Sequence, residues 1–263
     1  MGCCLFHIIS ILFVVFAAIH LCIFHTKMKE KNLSKLIMVV WTILVILEIY
    51  KQFVFSYDIQ DGMVTWRYQW YIFPYQFCAT PLTFLPFIAL NKGSNKFSRF
   101  IKEGCIMFCS TFNFFAGLSV LIFPEGVFVS NLGIDIQTMV HHGLQVVLGI
   151  YIYVYYHKKL KYISFFKALP IFAFFLTNAM LLNVTVVHFT DATFNMFFIS
   201  PYFPCTLLIL SEVYAAAPYP VFLFVYIVGF TLCAFMIYNI FYWITFYIDK
   251  KHSTSIKKLC RVA

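Results

Sequence analysis

Apolar stretches long enough to cross a bilayer, roughly 18 residues or more, recur from one end of this chain to the other. That feature removes most fold classes, because a soluble domain cannot hide so many uninterrupted apolar runs. With 62% hydrophobic and 11% charged residues, the composition is that of a polytopic membrane protein. No linker-like block and no internal repeat divides it, so residues 1–263 are expected to form a single all-α transmembrane domain.

At about 1.5 Å rise per residue, a core near 30 Å needs about 20 residues per helix. About seven spans are therefore expected, over 4–24, 36–55, 71–90, 101–123, 134–156, 165–188 and 218–247. A shorter apolar piece at 203–210, after Pro201 and Pro204, is read as re-entrant or interfacial. The opening MGCCLFHIIS is read as the start of the first span. It lacks the basic n-region of a signal peptide, and Phe6 stands where a myristoylation site needs Ser or Thr.

The formal charge of +9 raises the question of a nucleic-acid partner, and the positions of the basic residues answer it. Lys27, Lys29, Lys31 and Lys35 follow span 1; Lys92, Lys96, Arg99 and Lys102 follow span 3; Lys158, Lys159, Lys161 and Lys167 follow span 5; Lys250, Lys251, Lys257, Lys258 and Arg261 follow span 7. With seven spans all of these lie on one side, while Asp58, Asp61, Glu125, Asp135, Asp191 and Glu212 lie on the other. Such asymmetry is a topology signal, N-out and C-in, and no nucleic acid is expected as a partner. The cysteines form no CxxC pair and sit mostly in apolar runs, so neither a disulfide framework nor a metal site is expected.

Once direction is fixed, depth follows from counting. Cys78 and His142 each fall roughly 10 to 12 Å below the outer boundary. Glu48, Gln76, Asn113, His141 and Asn183 share that half of the bundle, with Lys51 one turn from Glu48 as an ion-pair partner. Ionisable groups in a membrane are costly and by default mark a site. Each has a plainer reading: a lone membrane cysteine packs as a small hydrophobe, and a membrane asparagine joins helices. Neighbours on a helix are about 100° apart, so one of His141 and His142 is expected to satisfy a backbone carbonyl or to snorkel instead. The levelling of a thiol with imidazoles and amides favours a shared polar cavity. Pro74, Pro81 and Pro86 are expected to kink the third span around Cys78 and widen the bundle there.

A thiol beside an imidazole can be deprotonated to a nucleophile suited to acyl transfer, with Asn113 or Gln76 polarising a carbonyl and Glu48 orienting a histidine. Two rivals use the same residues. One is a transporter or lipid-binding protein with an outward-facing polar cavity. The other is a zinc hydrolase using His141, His142 and His188, which adjacent histidines disfavour.

The segments WYIFPYQFC (70–78), FNFFAGLSVLIFP (112–124), HHGLQVVLGIY (141–151), FNMFFISP (194–201) and APYP (217–220) together resemble the YwaF-like (transmembrane protein 164-like) family of multipass integral membrane proteins. The resemblance implies a cofactor-independent acyltransferase acting on membrane phospholipids and lysophospholipids. It would reside in the cell membrane of a bacterium or an endomembrane of a eukaryote. Carried onto this chain, it implies Cys78 as nucleophile and His142 as base. Gln76 and Ala79 depart from it, standing where members often carry a histidine and an acidic residue.

Overall fold

The computed structural model of the protein describes residues 2–24, 28–60, 62–123, 128–190 and 194–259. Asp61, Glu125, Asp191, Lys27 and Arg261, used above for topology, lie outside them. The described chain is an all-α helical bundle with one short β-hairpin. Five of its helical stretches are long and apolar enough to cross a membrane: Leu5–Ile23, Glu30–Val54, Lys96–Ile122, Tyr162–Phe189 and Tyr219–Lys251.

Helix α1 (Gly2–Phe24) and helix α2 (Glu30–Val54) show why a bilayer is their solvent. On α2, Leu33, Ile37, Val40, Leu44 and Glu48 recur at helical spacing and are buried, yet the opposite stripe of Val39, Ile43, Ile46, Tyr50 and Phe53 is also apolar and exposed. Two apolar faces on one helix suit protein on one side and lipid on the other. Along α1, Leu5, Leu12, Phe13, Phe16 and Ile23 are likewise exposed.

The expected span at 134–156 is α6 (Leu132–Tyr156), as long as α2 at 25 residues but too polar to stand among the five. It packs against α1, α2 and the α4–α5 helix, and Gln137, Thr138, His141, His142 and Gln145 on it are all buried. Shielding by its apolar neighbours lets this polar helix occupy the middle of the bundle. The α4–α5 helix runs from Lys96 to Ile122 through a π turn, Cys109–Asn113, between α4 (Lys96–Phe108) and α5 (Phe114–Ile122).

The stretch 71–90 differs from the kinked helix expected of it. Only α3 (Pro81–Leu90) is α-helical there, ten residues or about 15 Å, half a bilayer. Ahead of it the chain runs through the tight turns Trp70–Ile72 and Phe77–Ala79. Pro81 opens α3, where its missing N–H costs nothing. Pro86 lies inside and cannot bond the carbonyl of Leu82. The Trp41 indole donates to that carbonyl instead, at 2.8 Å.

Helix α7 (Ala168–Thr185) leads to a buried irregular segment at 194–200, ahead of the apolar piece read as re-entrant or interfacial at 203–210. Phe194, Met196, Phe197, Ile199 and Ser200 are fully buried, whereas Leu208 and Ile209 are exposed. A short helix, α8 (Leu210–Ala216), and the long α9 (Tyr219–Leu259) follow. Irregular backbone at membrane depth persists only when protein surrounds it. Here Phe197 packs against Phe77 at 5.0 Å and stacks on Tyr75 at 5.9 Å between ring centroids.

Ion pairs gather four basic connections at one end of the bundle. Glu30, at the start of α2, meets Lys102 of α4 at 3.3 Å and Lys159, just past α6, at 3.8 Å. Asp249, late in α9, meets His157 at 3.2 Å and Lys158 at 3.7 Å. Lys167 pairs with Glu103 beside them along the chain. A cavity of about 350 Å³ bordered by Lys96, Arg99, Phe100, Glu103 and Lys167 belongs to this basic end.

Candidate functional site

The turn Phe77–Ala79 leaves the carbonyl of Cys78 just ahead of α3, and two side chains of α6 converge on it. His141 Nε2 lies 2.9 Å from that oxygen and Gln145 Nε2 lies 2.5 Å from it. A carbonyl only accepts, so both nitrogens donate. The donor role of Gln145 Nε2 sets its Oε1 toward His142 Nδ1, 3.2 Å away, which must then carry the proton. The network thereby assigns both tautomers. His141 keeps its lone pair on Nδ1, a buried atom without a hydrogen-bond partner. His142 keeps its lone pair on Nε2.

The two imidazoles are not redundant. Their ring centroids are 5.4 Å apart, and His141 is the one engaged with a backbone carbonyl, as adjacency on a helix requires. His142 reaches Cys78 only through Gln145. No hydrogen bond among the described residues joins the Cys78 thiol to either ring. The thiol is free of any disulfide, and Cys78 as a residue is half-buried.

Gly117 makes this closeness possible on the other side of α6. A Cβ there would sit 2.9 Å from the Gln145 Cβ and 2.9 Å from the His142 carbonyl oxygen, so only glycine lets α5 press directly against the site. Asn113, in the π turn preceding α5, is buried with its Oδ1 unpaired.

Glu48 is buried too, but it orients neither histidine. Its Oε1 accepts from Lys51 Nζ at 2.9 Å and from Gln52 Nε2 at 2.7 Å, while its Oε2 is buried without a partner. Gln52 also donates to the Ile72 carbonyl at 2.8 Å and accepts from the Tyr68 hydroxyl at 2.7 Å. This relay ties α2 to the segment that carries Cys78. Burial first, and then the nearby Glu48 charge, pushes the Tyr68 phenol up from its ordinary value.

Gln76 and Asn183 serve the buried loop. Gln76 Nε2 donates to the Asn195 carbonyl at 3.0 Å, and its Oε1 accepts from the Phe197 amide at 3.1 Å. Asn183 brackets Met196, donating to its carbonyl at 2.9 Å and accepting from its amide at 2.7 Å. Asn195 continues the pattern, accepting from the Ser200 amide at 2.9 Å and donating to the Pro204 carbonyl at 3.1 Å. These bonds hold Phe197 and Phe198 at φ near +60°, a region unfavourable to side chains of this bulk. His188 packs on Tyr202 at 5.9 Å between centroids, and no metal-binding group of three His, Cys, Asp or Glu occurs among the described residues.

The structure thus brings Cys78, His141 and His142 together, sets Glu48 and Asn113 as buried polar groups with unpaired oxygens, and commits Gln76 and Asn183 to a loop. Gln145, Gln52 and Asn195 were missed. Helical spacing pointed to two of them, since Gln145 is four residues after His141 and Gln52 four after Glu48. No family model, curated protein or solved structure matches the chain.

Proposed function

We propose that the protein is a seven-span, N-out and C-in membrane enzyme of the YwaF-like type. It would move acyl chains between glycerophospholipids through an acyl-enzyme on Cys78. The observation that carries this reading is the locked tautomer of His142: Gln145 holds Nδ1 as N–H and leaves the Nε2 lone pair free to accept a proton, the orientation a general base needs. The gathering of basic connections at one end supports the topology.

In this mechanism His142 Nε2 takes the thiol proton, and the thiolate attacks a phospholipid ester carbonyl. The tetrahedral adduct collapses to a thioester, and the released lysophospholipid oxygen recovers the proton from His142. A second lysophospholipid hydroxyl, deprotonated by the same nitrogen, then attacks the thioester and regenerates the thiol. Asn113, buried one turn before Gly117, would offer its Nδ2 amide hydrogens to polarise the carbonyl. Catalytic hydrogen bonds are often long before substrate is bound, so the thiol and imidazole would close on one another in the complex.

Reconstituted protein supplied with a phospholipid carrying a labelled acyl chain should transfer the label to lysophospholipid. Hydroxylamine-labile label should be trapped on the peptide containing Cys78. Cys78→Ala should abolish both while inserting normally; transfer that survives the substitution would overturn the cysteine mechanism. A second reading, lipid binding or transport without covalent chemistry, is favoured by the absence of a thiol–imidazole hydrogen bond. Saturable lipid binding with no adduct on Cys78 would select it.

A further inference from the structure

The hairpin that follows α2 has two unlike faces. Strands β1 (Tyr57–Gln60) and β2 (Met63–Trp66) pair antiparallel, Tyr57 opposite Trp66, Asp58 opposite Thr65, and Ile59 opposite Val64. Side chains alternate along a strand, so Tyr57, Ile59, Val64 and Trp66 share one face while Asp58 and Thr65 share the other, with Met63 beside them at the turn. The apolar face is open: Ile59 is 72% exposed, Trp66 67% and Val64 65%. On the polar face Asp58 meets Arg67 at 3.6 Å.

An isolated two-stranded hairpin is marginal in water unless something packs against its apolar face. Four large apolar groups on one open face call for a covering surface, and α2 indicates which. The exposed apolar stripe of that helix ends at Phe53, whose ring lies 5.2 Å from Tyr57; Tyr57 in turn meets Trp66 edge-on at 5.3 Å. The lipid-facing surface of α2 therefore passes without a break onto the hairpin. Tyrosine and tryptophan at such a junction suit the boundary between headgroups and acyl chains.

We propose that this hairpin lies in the interfacial zone of the bilayer as an amphipathic anchor, with Tyr57, Ile59, Val64 and Trp66 toward the acyl chains and Asp58 and Thr65 toward water. The occupant of the face is lipid. The inference is independent of acyl transfer, but it bears on the site. Strand β2 continues directly to Tyr68 and Ile72, which the Gln52–Glu48 relay ties to α2. The hairpin thus fixes against the membrane the same segment that presents Cys78.

The full chain in phosphatidylcholine vesicles tests this through tryptophan fluorescence. The contribution of Trp66 is the difference between the natural chain and Trp66→Tyr. Lipids brominated near the carbonyl end of the acyl chain should reduce that contribution about two-fold or more, and aqueous iodide should leave it unchanged. In the Trp66→Tyr background, Thr65→Trp should show the reverse, being quenched by iodide. Ile59→Trp, added to the natural chain, reads the same face from an increment and serves if Trp66→Tyr inserts poorly. Iodide quenching of Trp66 or of the Ile59→Trp increment would overturn the proposal by placing the face in water. Protection from both quenchers would overturn it in favour of a second copy or another protein covering the face.

Discussion

Gln76 and Cys78 are two residues apart, yet they belong to polar networks of opposite character. The network around Gln76, Asn183 and Asn195 pairs both the donor and the acceptor of each side-chain amide with backbone groups of the 194–204 stretch. The one around Cys78 leaves His141 Nδ1 and Glu48 Oε2 buried and without partners, and Asn113 Oδ1, in the π turn before α5, is likewise unpaired. An unpaired buried polar atom costs about 1–3 kcal/mol, so a fold that keeps several in one region gives up stability there. The first network builds backbone that a membrane would otherwise not tolerate. The second holds groups in reserve, and that contrast is the physical case for placing chemistry at Cys78 and not at Gln76.

Substitutions can break the contrast. The largest effect is expected from His142→Ala, which should lower acyl transfer by about 100-fold or more at a stability cost of about 1–3 kcal/mol, because Gln145 Oε1 loses its donor while Cys78 O keeps both of its own. Transfer assays beside unfolding curves on the same preparation check this. Next comes Asn183→Ala, which strands both the amide and the carbonyl of Met196 in the core. It should cost about 2–4 kcal/mol of unfolding free energy and raise the proteolysis rate of the loop. A neutral Asn183→Ala would remove the scaffold role argued for it. Gln76→Ala, which frees the Phe197 amide, should cost about 1–3 kcal/mol in the same assay. The smallest effect belongs to Glu48→Gln, which loses the charge facing Lys51 but keeps an acceptor for Gln52. A shift of about 1 kcal/mol is expected because the Lys51 ammonium keeps some contact with solvent, and a much larger one would mean that Lys51 is left as an uncompensated buried charge.

Much of the bundle is legible in the sequence because lipid imposes a simple demand, and five long apolar helices meet it. Helix α6 is legible by length alone, since its polarity is explained only by the neighbours that shield it. The third span misleads for a physical reason: apolar composition says that a segment is buried, not that it is helical. Between Trp70 and Ala79 burial is met by turns and aromatic packing. The same ambiguity hid another irregular segment: Pro201 and Pro204 point to 203–210, whereas 194–200 is secured by Gln76 and Asn183, distant in sequence. In the site, Cys78, His141 and His142 stand out as costly residues at one depth. The destinations of Glu48, Gln76 and Asn183 depend on loops that no helical periodicity encodes.

The π turn at Cys109–Asn113 has a consequence for how α5 is set. Both faces of Phe114–Ile122 are apolar, so no amphipathic pattern tells this helix which way to rotate in a bundle surrounded by lipid. Its phase is stored in the length of a turn. The wider π turn offsets α5 from the pitch of α4, and one residue is worth about 100° of rotation. Gly117 then meets Gln145 and the His142 carbonyl in that phase. Shortening the turn by one residue would leave the hydropathy of the helix almost unchanged and turn its glycine away from the histidines. In this chain, a count of residues carries information that polarity cannot.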